Sequence, residues 1–232
     1  MKQVLVEIEN MSKSFPTGEG DFWALSDISL QINKGEFCGL VGPSGSGKTT
    51  LLNIIGSLDT QTRGKVKVLD MQIDSLSAKA AAELRSKSMG FVFQTFNLLP
   101  VYSVYENVEF PLLLLKQSAP QRHKAVMEAL EWVGLTDKVK SRPTQLSGGQ
   151  CQRVAIARAM VKKPLLVLAD EPTANLDSEN SQHILKTMQE LNQALGTTFI
   201  FSTHDQKVID YLQRIITLID GKVASDDYQA RP

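Results

Sequence analysis

Gly42-Pro43-Ser44-Gly45-Ser46-Gly47-Lys48-Thr49 is the stretch that decides the fold. It fits G-x-x-x-x-G-K-[ST], the pattern of a loop that wraps phosphate. Before it stands Glu36-Phe-Cys-Gly-Leu-Val41, a short apolar run with strand character. After it, Thr50-Leu-Leu-Asn-Ile-Ile55 is apolar at helical spacing. Strand, glycine loop and helix in that order give the pattern its meaning, where a chance Gly/Ser turn would need no such flanks. The glycines let the backbone curl so that successive N–H groups point inward at an anion. The helix that follows adds its unpaired N–H groups and the positive end of its dipole. Lys48 is placed to reach terminal phosphates, and the Thr49 hydroxyl to sit on a magnesium ion.

Working outward, the chain reads as α/β. Residues 3–8 and 26–32 alternate apolar and polar, as antiparallel strands with one wet face do. Between them Ser14–Gly20 has the composition of a loop, and Phe15 reads as an aromatic within it. Asn33-Lys34-Gly35 reads as a hairpin-like turn. Further strands are expected at Gly64–Leu69, Gly90–Phe93, Leu165–Ala169 and Thr197–Ser202, with a final hairpin from Arg214–Ile219 and Lys222–Ala224. The wholly apolar runs among them suit parallel strands covered on both faces. Helices are expected at Ala78–Arg85, 104–116, 120–133, Arg153–Met160 and 178–195, with Pro111 kinking or splitting the second. The basic cluster Lys138–Arg142 reads as solvated surface, and the tail Ser225–Pro232 as loose. The expected organisation is a phosphate-loop core with a mostly parallel sheet and an N-terminal antiparallel β subdomain over 1–94 and 160–232, with a helical subdomain inserted at 95–159.

Composition bounds the function. The 232 residues carry equal numbers of basic and acidic side chains, 25 each, so no global charge steers the chain to nucleic acid or an anionic membrane. Cys38 and Cys151 are far apart and in no metal-ligand spacing, which suits a reducing compartment. Pure apolar runs such as Leu112–Leu115 and Leu165–Ala169 fall far short of the ~20 residues of a membrane span. The N-terminus meets charge too early for a secretory leader, so a cytosolic chain is expected, held at a membrane only through a partner.

The chemistry gathers at strand ends. The run Leu165–Ala169 delivers Asp170, placed to hold the magnesium shell with Thr49, and then Glu171, placed to orient and activate water. Gln94 and His204 each follow a core strand. Ligands of open α/β sheets collect at such carboxyl ends. Gln94 can touch metal or water there, and an imidazole at His204 can donate to a terminal phosphate. His123 and His183 sit in polar helix sequence and read as solvated. Leu146-Ser147-Gly148-Gly149-Gln150 opens a helix and so forms a second anion-binding helix N-terminus.

This set resembles the ATP-binding-cassette (ABC) ATPase family over essentially the whole chain. By that resemblance Gln94 is the Q-loop, Leu146–Gln150 the signature, Leu165–Asp170 with Glu171 the Walker B strand, Ala174-Asn175-Leu176-Asp177 the D-loop and His204 the switch histidine. It implies ATP and Mg²⁺ as cofactors, with ATP held by Phe15 stacking on adenine and by Gly42, Pro43, Ser44, Gly45, Ser46, Gly47, Lys48, Thr49 and Thr50. It implies catalysis by Glu171, His204 and Gln94, and metal binding by Thr49, Gln94 and Asp170. It further implies a head-to-tail dimer in which Ser147, Gly148, Gly149, Gln150 and Asp177 of one copy complete the site of another. Asn175 departs from the common D-loop pattern Ser-Ala-Leu-Asp, and Cys151 stands where Gln is common, as a helix-surface or half-buried thiol.

The stretches Gly90–Pro100, Glu106–Leu112 and Leu51–Asp59 are similar to the subfamily of macrolide exporters and lipoprotein-releasing complexes. That similarity implies a separate transmembrane permease subunit, in two copies or as a heterodimer, at the cytoplasmic face of a bacterial inner membrane. A periplasmic adaptor can join through the permease, and no nucleic acid is involved. Asp137–Pro143 departs from the subfamily pattern near where a partner's cytoplasmic helix is expected to press. The alternative is a cassette that regulates a periplasmic enzyme through a membrane partner, as in cell division. A GTPase would want an Asn-Lys-x-Asp base reader, a chromosome ATPase a long heptad insertion and a translation factor a second phosphate loop. None of these is in the sequence.

Overall fold

The computed structural model describes residues 3–18 and 20–229. In chain order the elements are β1 (Val4–Thr17), β2 (Gly20–Asn33), β3 (Phe37–Val41), α1 (Lys48–Ile55), β4 (Arg63–Val68), β5 (Met71–Gln72), α2 (Ala78–Ser88), β6 (Met89–Phe93), α3 (Val104–Leu114), α4 (Ala119–Trp132), α5 (Gly148–Met160), β7 (Leu166–Asp170), α6 (Ser178–Leu195), β8 (Thr198–Thr203), α7 (Gln206–Ile209), β9 (Arg214–Ile219) and β10 (Lys222–Tyr228).

Among the described residues the strands form two sheets. One has the order β2-β1-β4-β5 and is antiparallel. The other has the order β10-β9-β3-β8-β7-β6 and is parallel from β9 to β6, with β10 antiparallel at its edge. Helix α1 lies between the sheets. Its Leu51, Leu52, Ile54 and Ile55 are buried against Val6, Ile8 and Ile28 of one sheet and Leu40 and Ile200 of the other. Each such side chain contributes about 1.5–3 kcal/mol by leaving water, so the helix that begins at the phosphate loop is anchored on two sides. The other face of the parallel sheet is covered by α5 and α6, with α3 and α4 packed on α5 through Val104, Val108, Leu112, Val126 and Leu130.

The two apolar periods of the sequence explain most of this. Strands β7 and β8 are buried almost end to end because helices or the second sheet cover both faces. In α6, Ile184, Leu185, Met188 and Leu191 form one buried stripe, Asp177 caps the start and Gly196 ends it in the left-handed conformation.

Four local expectations are corrected. Ser14–Thr17 is strand, not loop: Ser14 pairs with Trp23, Phe15 with Phe22 and Pro16 with Asp21. Beyond Ser12, β1 has lost β4 as a neighbour, and a strand with one partner tolerates proline. Glu19 of the expected loop lies outside the described residues. The turn Asn33-Lys34-Gly35 closes no hairpin, because β2 and β3 belong to different sheets. Pro111 does not split its helix. Residues 104–114 run on as α3, with Val104, Val108 and Leu112 fully buried and a Ser103–Glu106 capping box at the start. That packing outweighs the helix bond lost at proline, about 3 kcal/mol.

Finally, Ser225–Tyr228 is ordered strand. The Arg214 guanidinium, 5 % exposed, donates to both Asp226 carboxylate oxygens at 2.7 Å and to Glu36 Oε2 at 2.7 Å. Tyr228 donates to Glu36 Oε1 at 3.1 Å. A buried cation thus holds the polar tail onto the sheet, and removing one of its partners would leave charge uncompensated. Residues 230–232 of the expected tail lie outside the described residues.

Candidate active site

The phosphate loop leaves β3 at Val41 and enters α1 at Lys48. Gly45 (φ 81°) and Gly47 (φ 97°) take left-handed backbone that side chains with a Cβ avoid. At Gly47 a Cβ would also stand 2.7 Å from the Ala24 carbonyl oxygen. No side chain caps α1, and its first turn holds no acidic residue. Its leading N–H groups are therefore available to an anion. Lys48 is 7 % exposed and donates from Nζ to the Gly42 and Pro43 carbonyl oxygens at 2.7 and 2.8 Å. An ammonium has three donors, so one remains for a ligand. Ser46 Oγ is buried with no partner in the protein, an orphan donor in the wall of the loop.

Strand register levels the other groups. Phe93 pairs with Asp170, Asp170 with Ser202 and Ser202 with Leu40 across the parallel sheet. Gln94, Asp170, Glu171 and His204 therefore leave one sheet edge beside the phosphate loop. The Thr49 hydroxyl lies 3.3 Å from each Asp170 carboxylate oxygen. One carboxylate, one hydroxyl and a nearby amide suit Mg²⁺, which keeps few protein oxygens and completes its shell with phosphates and water. No group of three or more His, Cys, Asp or Glu able to hold a metal occurs among the described residues.

Glu171 is held in a costly conformation. Its φ is 45°, a left-handed value that costs a residue with a Cβ about 1–2 kcal/mol. The Glu171 N–H donates to the Ser202 carbonyl at 2.9 Å, the Thr203 hydroxyl donates to Oε2 at 3.2 Å, and His204 Nδ1 lies 2.6 Å from Oε1. The side chain is 17 % exposed, and that of His204 is 67 % exposed. Strain of this kind persists where the surroundings fix a side chain in one direction, here into the cleft.

The cleft has a volume of ≈ 480 Å³ and is walled by Ser44, Gly45, Gly47, Lys48, Thr49, Thr50, Gln94, Glu171, Ala174, Ser202 and His204. At its mouth stand Phe15 and Phe22, direct partners across the β1–β2 hairpin and 38 and 58 % exposed. The Lys13 ammonium lies 4.8 Å from the centre of the Phe15 ring. Phe22 did not declare itself in the sequence. Its cross-strand position beside Phe15 would have found it, had Ser14–Thr17 been read as strand. Replacing Phe22 by Ala should raise the KM for ATP about two- to tenfold, the range of one aromatic contact, with kcat little changed. Steady-state kinetics checks this, and an unchanged KM would remove Phe22 from the site.

Ser147, Gly148, Gly149, Gln150 and Asp177 are not in that cleft. Ser147 caps α5, its hydroxyl accepting from the Gln150 N–H while Gln150 Oε1 accepts from the Ser147 N–H at 2.9 Å. Each side chain so takes up the other residue's backbone N–H; of the two glycines between them, Gly148 is exposed at the helix start and Gly149 is buried against Asn180. Asp177 caps α6, accepting from the N–H and the amide of Asn180 at 2.8 and 2.7 Å. Those bonds hold its carboxyl below the usual range. Asn175, whose contact the sequence left open, donates to the Gln94 carbonyl at 3.0 Å. Cys151 is buried rather than on the helix surface, with Sγ 3.5 Å from the Pro143 carbonyl. Burial raises its pKa, so no reactive thiolate is expected. Ser141 and Val139, in the stretch that departs from the subfamily, accept from the first N–H groups of α3, Val104 and Tyr105. No helix among the described residues is long and apolar enough to cross a membrane.

Comparison with known proteins agrees with this geometry. The family model described as ABC transporter matches residues 25–174. The chain is 43% identical over 229 residues to the lipoprotein-releasing system ATP-binding protein LolD of Pseudoalteromonas translucida (strain TAC 125), covering 99% of each. It is 47% identical over 225 residues to the uncharacterized ABC transporter ATP-binding protein YvrO of Bacillus subtilis (strain 168), covering 96% of this chain and 97% of that one. Its structure superposes on the ATP-binding cassette MJ0796, a dimer in a post-hydrolysis state bound to ADP and Pi, with TM-score 0.89, 41% identity and coverage of 97% and 98%. A strained carboxylate facing a phosphate loop, inside a fold shared along its whole length with these cassettes, places the chain in the ABC transporter family as an ATP-binding, ATP-hydrolysing subunit.

Proposed function

We propose that two copies of this chain close head to tail around ATP and so drive a separate membrane subunit. One observation carries the reading. The chain has two helix N-termini built to receive phosphate, α1 and α5, and the second lies outside the cleft of the first. A terminal phosphate held by the loop of one copy is then met by Gly148 and Gly149 of the other, and ATP joins the copies. The similarity to a cassette solved as a dimer with ADP and Pi supports this.

Within each site the phosphate loop and Lys48 hold the β- and γ-phosphates. Phe15 offers adenine the ring face not taken by Lys13. Thr49, Asp170 and Gln94 would hold Mg²⁺, which would offset negative charge on the phosphates. Glu171 orients a water and accepts its proton as the water oxygen bonds to the γ-phosphorus. The bond from that phosphorus to the β–γ bridging oxygen breaks, and ADP leaves with the electron pair. His204, now 2.6 Å from Glu171, is placed to turn toward the γ-phosphate and report its presence. Loss of the γ-phosphate removes the atoms on which both half-sites converge, so the pair opens. The membrane subunit that feels this motion is a permease with a cytoplasmic helix. By similarity to LolD, the work is release of lipoproteins or a related export at the cytoplasmic face of a bacterial inner membrane. Sedimentation of a Glu171→Gln protein tests the first step: ATP with magnesium should convert monomer to dimer. A chain that stays monomeric with saturating ATP refutes it.

A further inference from the structure

The backbone that carries Gln94 is held from outside itself. Phe96 (φ 60°) and Asn97 (φ 50°) are left-handed without being glycine, so this loop needs holding. Arg158 of α5 donates to the Phe96 carbonyl at 2.7 Å and also to the Asn97 carbonyl. Gln152 of α5, fully buried, donates to the Pro172 carbonyl just past Glu171 and reaches the Phe93 carbonyl at 3.5 Å. The Gln94 carbonyl itself accepts from Asn175 Nδ2 at 3.0 Å.

Asn175 stands between the two half-sites. Its own carbonyl oxygen packs on Gly148, 3.8 Å from where a Cβ would be, while its side chain holds Gln94. We propose that Asn175 is a positioning residue for Gln94, tying the location of that amide to the signature that meets the second copy's nucleotide. The inference rests on the reading that Gln94 binds the metal. Alanine, the residue that the pattern Ser-Ala-Leu-Asp has at this place, can make no such bond. Here the amide makes the metal site sensitive to the surface on which the partner copy closes. Asn175 is exposed, so its replacement removes the tether without opening the core.

The test is Mn²⁺ binding to the full chain loaded with a non-hydrolysable ATP analogue, followed by electron paramagnetic resonance. Asn175→Ala and Asn175→Asp are compared with wild type and with Gln94→Ala. Aspartate keeps the size but offers the Gln94 carbonyl no donor. Both Asn175 variants should bind Mn²⁺ about two- to tenfold more weakly, the range of one hydrogen bond. Their affinity for the analogue in chelator and their thermal midpoint should match wild type. Wild-type Mn²⁺ affinity in both, with Gln94→Ala weakened, overturns the role of Asn175 and leaves Gln94 as a ligand. Wild-type affinity in Gln94→Ala removes the metal reading of Gln94 and this inference with it. A fall in thermal midpoint with Mn²⁺ affinity unchanged makes Asn175 merely structural and also overturns the proposal.

Discussion

Lys48→Ala is expected to bind ATP about thirtyfold to several thousandfold more weakly than wild type, with the fold intact. A charge-assisted bond to phosphate, lost from a site where the anion is already desolvated, costs roughly 2–5 kcal/mol, and each 1.4 kcal/mol is about tenfold. The Lys48 ammonium is almost fully buried and anchored on the Gly42 and Pro43 carbonyls, so it is oriented before nucleotide arrives and gives up little freedom on binding. Its loss also frees those carbonyls, which hold the mouth of the loop in shape. The remaining N–H groups of the loop and of α1 still attract phosphate, so residual binding should persist and should weaken with salt. Calorimetric titration with a non-hydrolysable analogue measures this. An affinity within threefold of wild type would mean that the loop backbone alone carries the anion.

What could be read in advance, and what could not, follows from how far apart in sequence the causes lie. The phosphate loop is local: eight consecutive residues fix its geometry, and the flanking apolar runs fix strand and helix. Asp170, Glu171, Gln94 and His204 were legible because each follows a buried strand, and parallel strands present their ends at one edge. The Ser225–Tyr228 strand was not legible, because its polar residues are held by Arg214 and Glu36, the latter far away in sequence. Ser14–Thr17 failed for a related reason. Its Pro-Thr-Gly composition is that of a turn, and only pairing with Asp21–Trp23 makes it strand. With the strand missed, Phe22 at the mouth of the cleft was missed too. Asn175 was visible as a departure, but its bond to Gln94 crosses 81 positions that no local pattern connects.

Glu171→Gln should bind ATP about as tightly as wild type and turn it over about a hundred- to ten-thousandfold more slowly, the usual contribution of a positioned general base. Glutamine keeps the shape and can still orient water, but it cannot accept the proton. The strained backbone at this position, φ 45°, is held by the Glu171 N–H bond to the Ser202 carbonyl, which glutamine keeps, so it should survive the exchange. The 2.6 Å contact with His204 should weaken as a carboxylate acceptor is replaced by an amide oxygen. His204 is then freer to turn toward the γ-phosphate, which would favour the closed, ATP-loaded pair proposed above. Turnover and binding should therefore separate. Phosphate release measures the first, and a fluorescent ATP analogue the second. Loss of both together would point to collapse of the site. Turnover within tenfold of wild type would take the proton from Glu171 and give it to another acceptor at the sheet edge. His204→Ala would then cost more than Glu171→Gln, the reverse of the order expected from a carboxylate aimed into the cleft and a histidine that only reports on the phosphate.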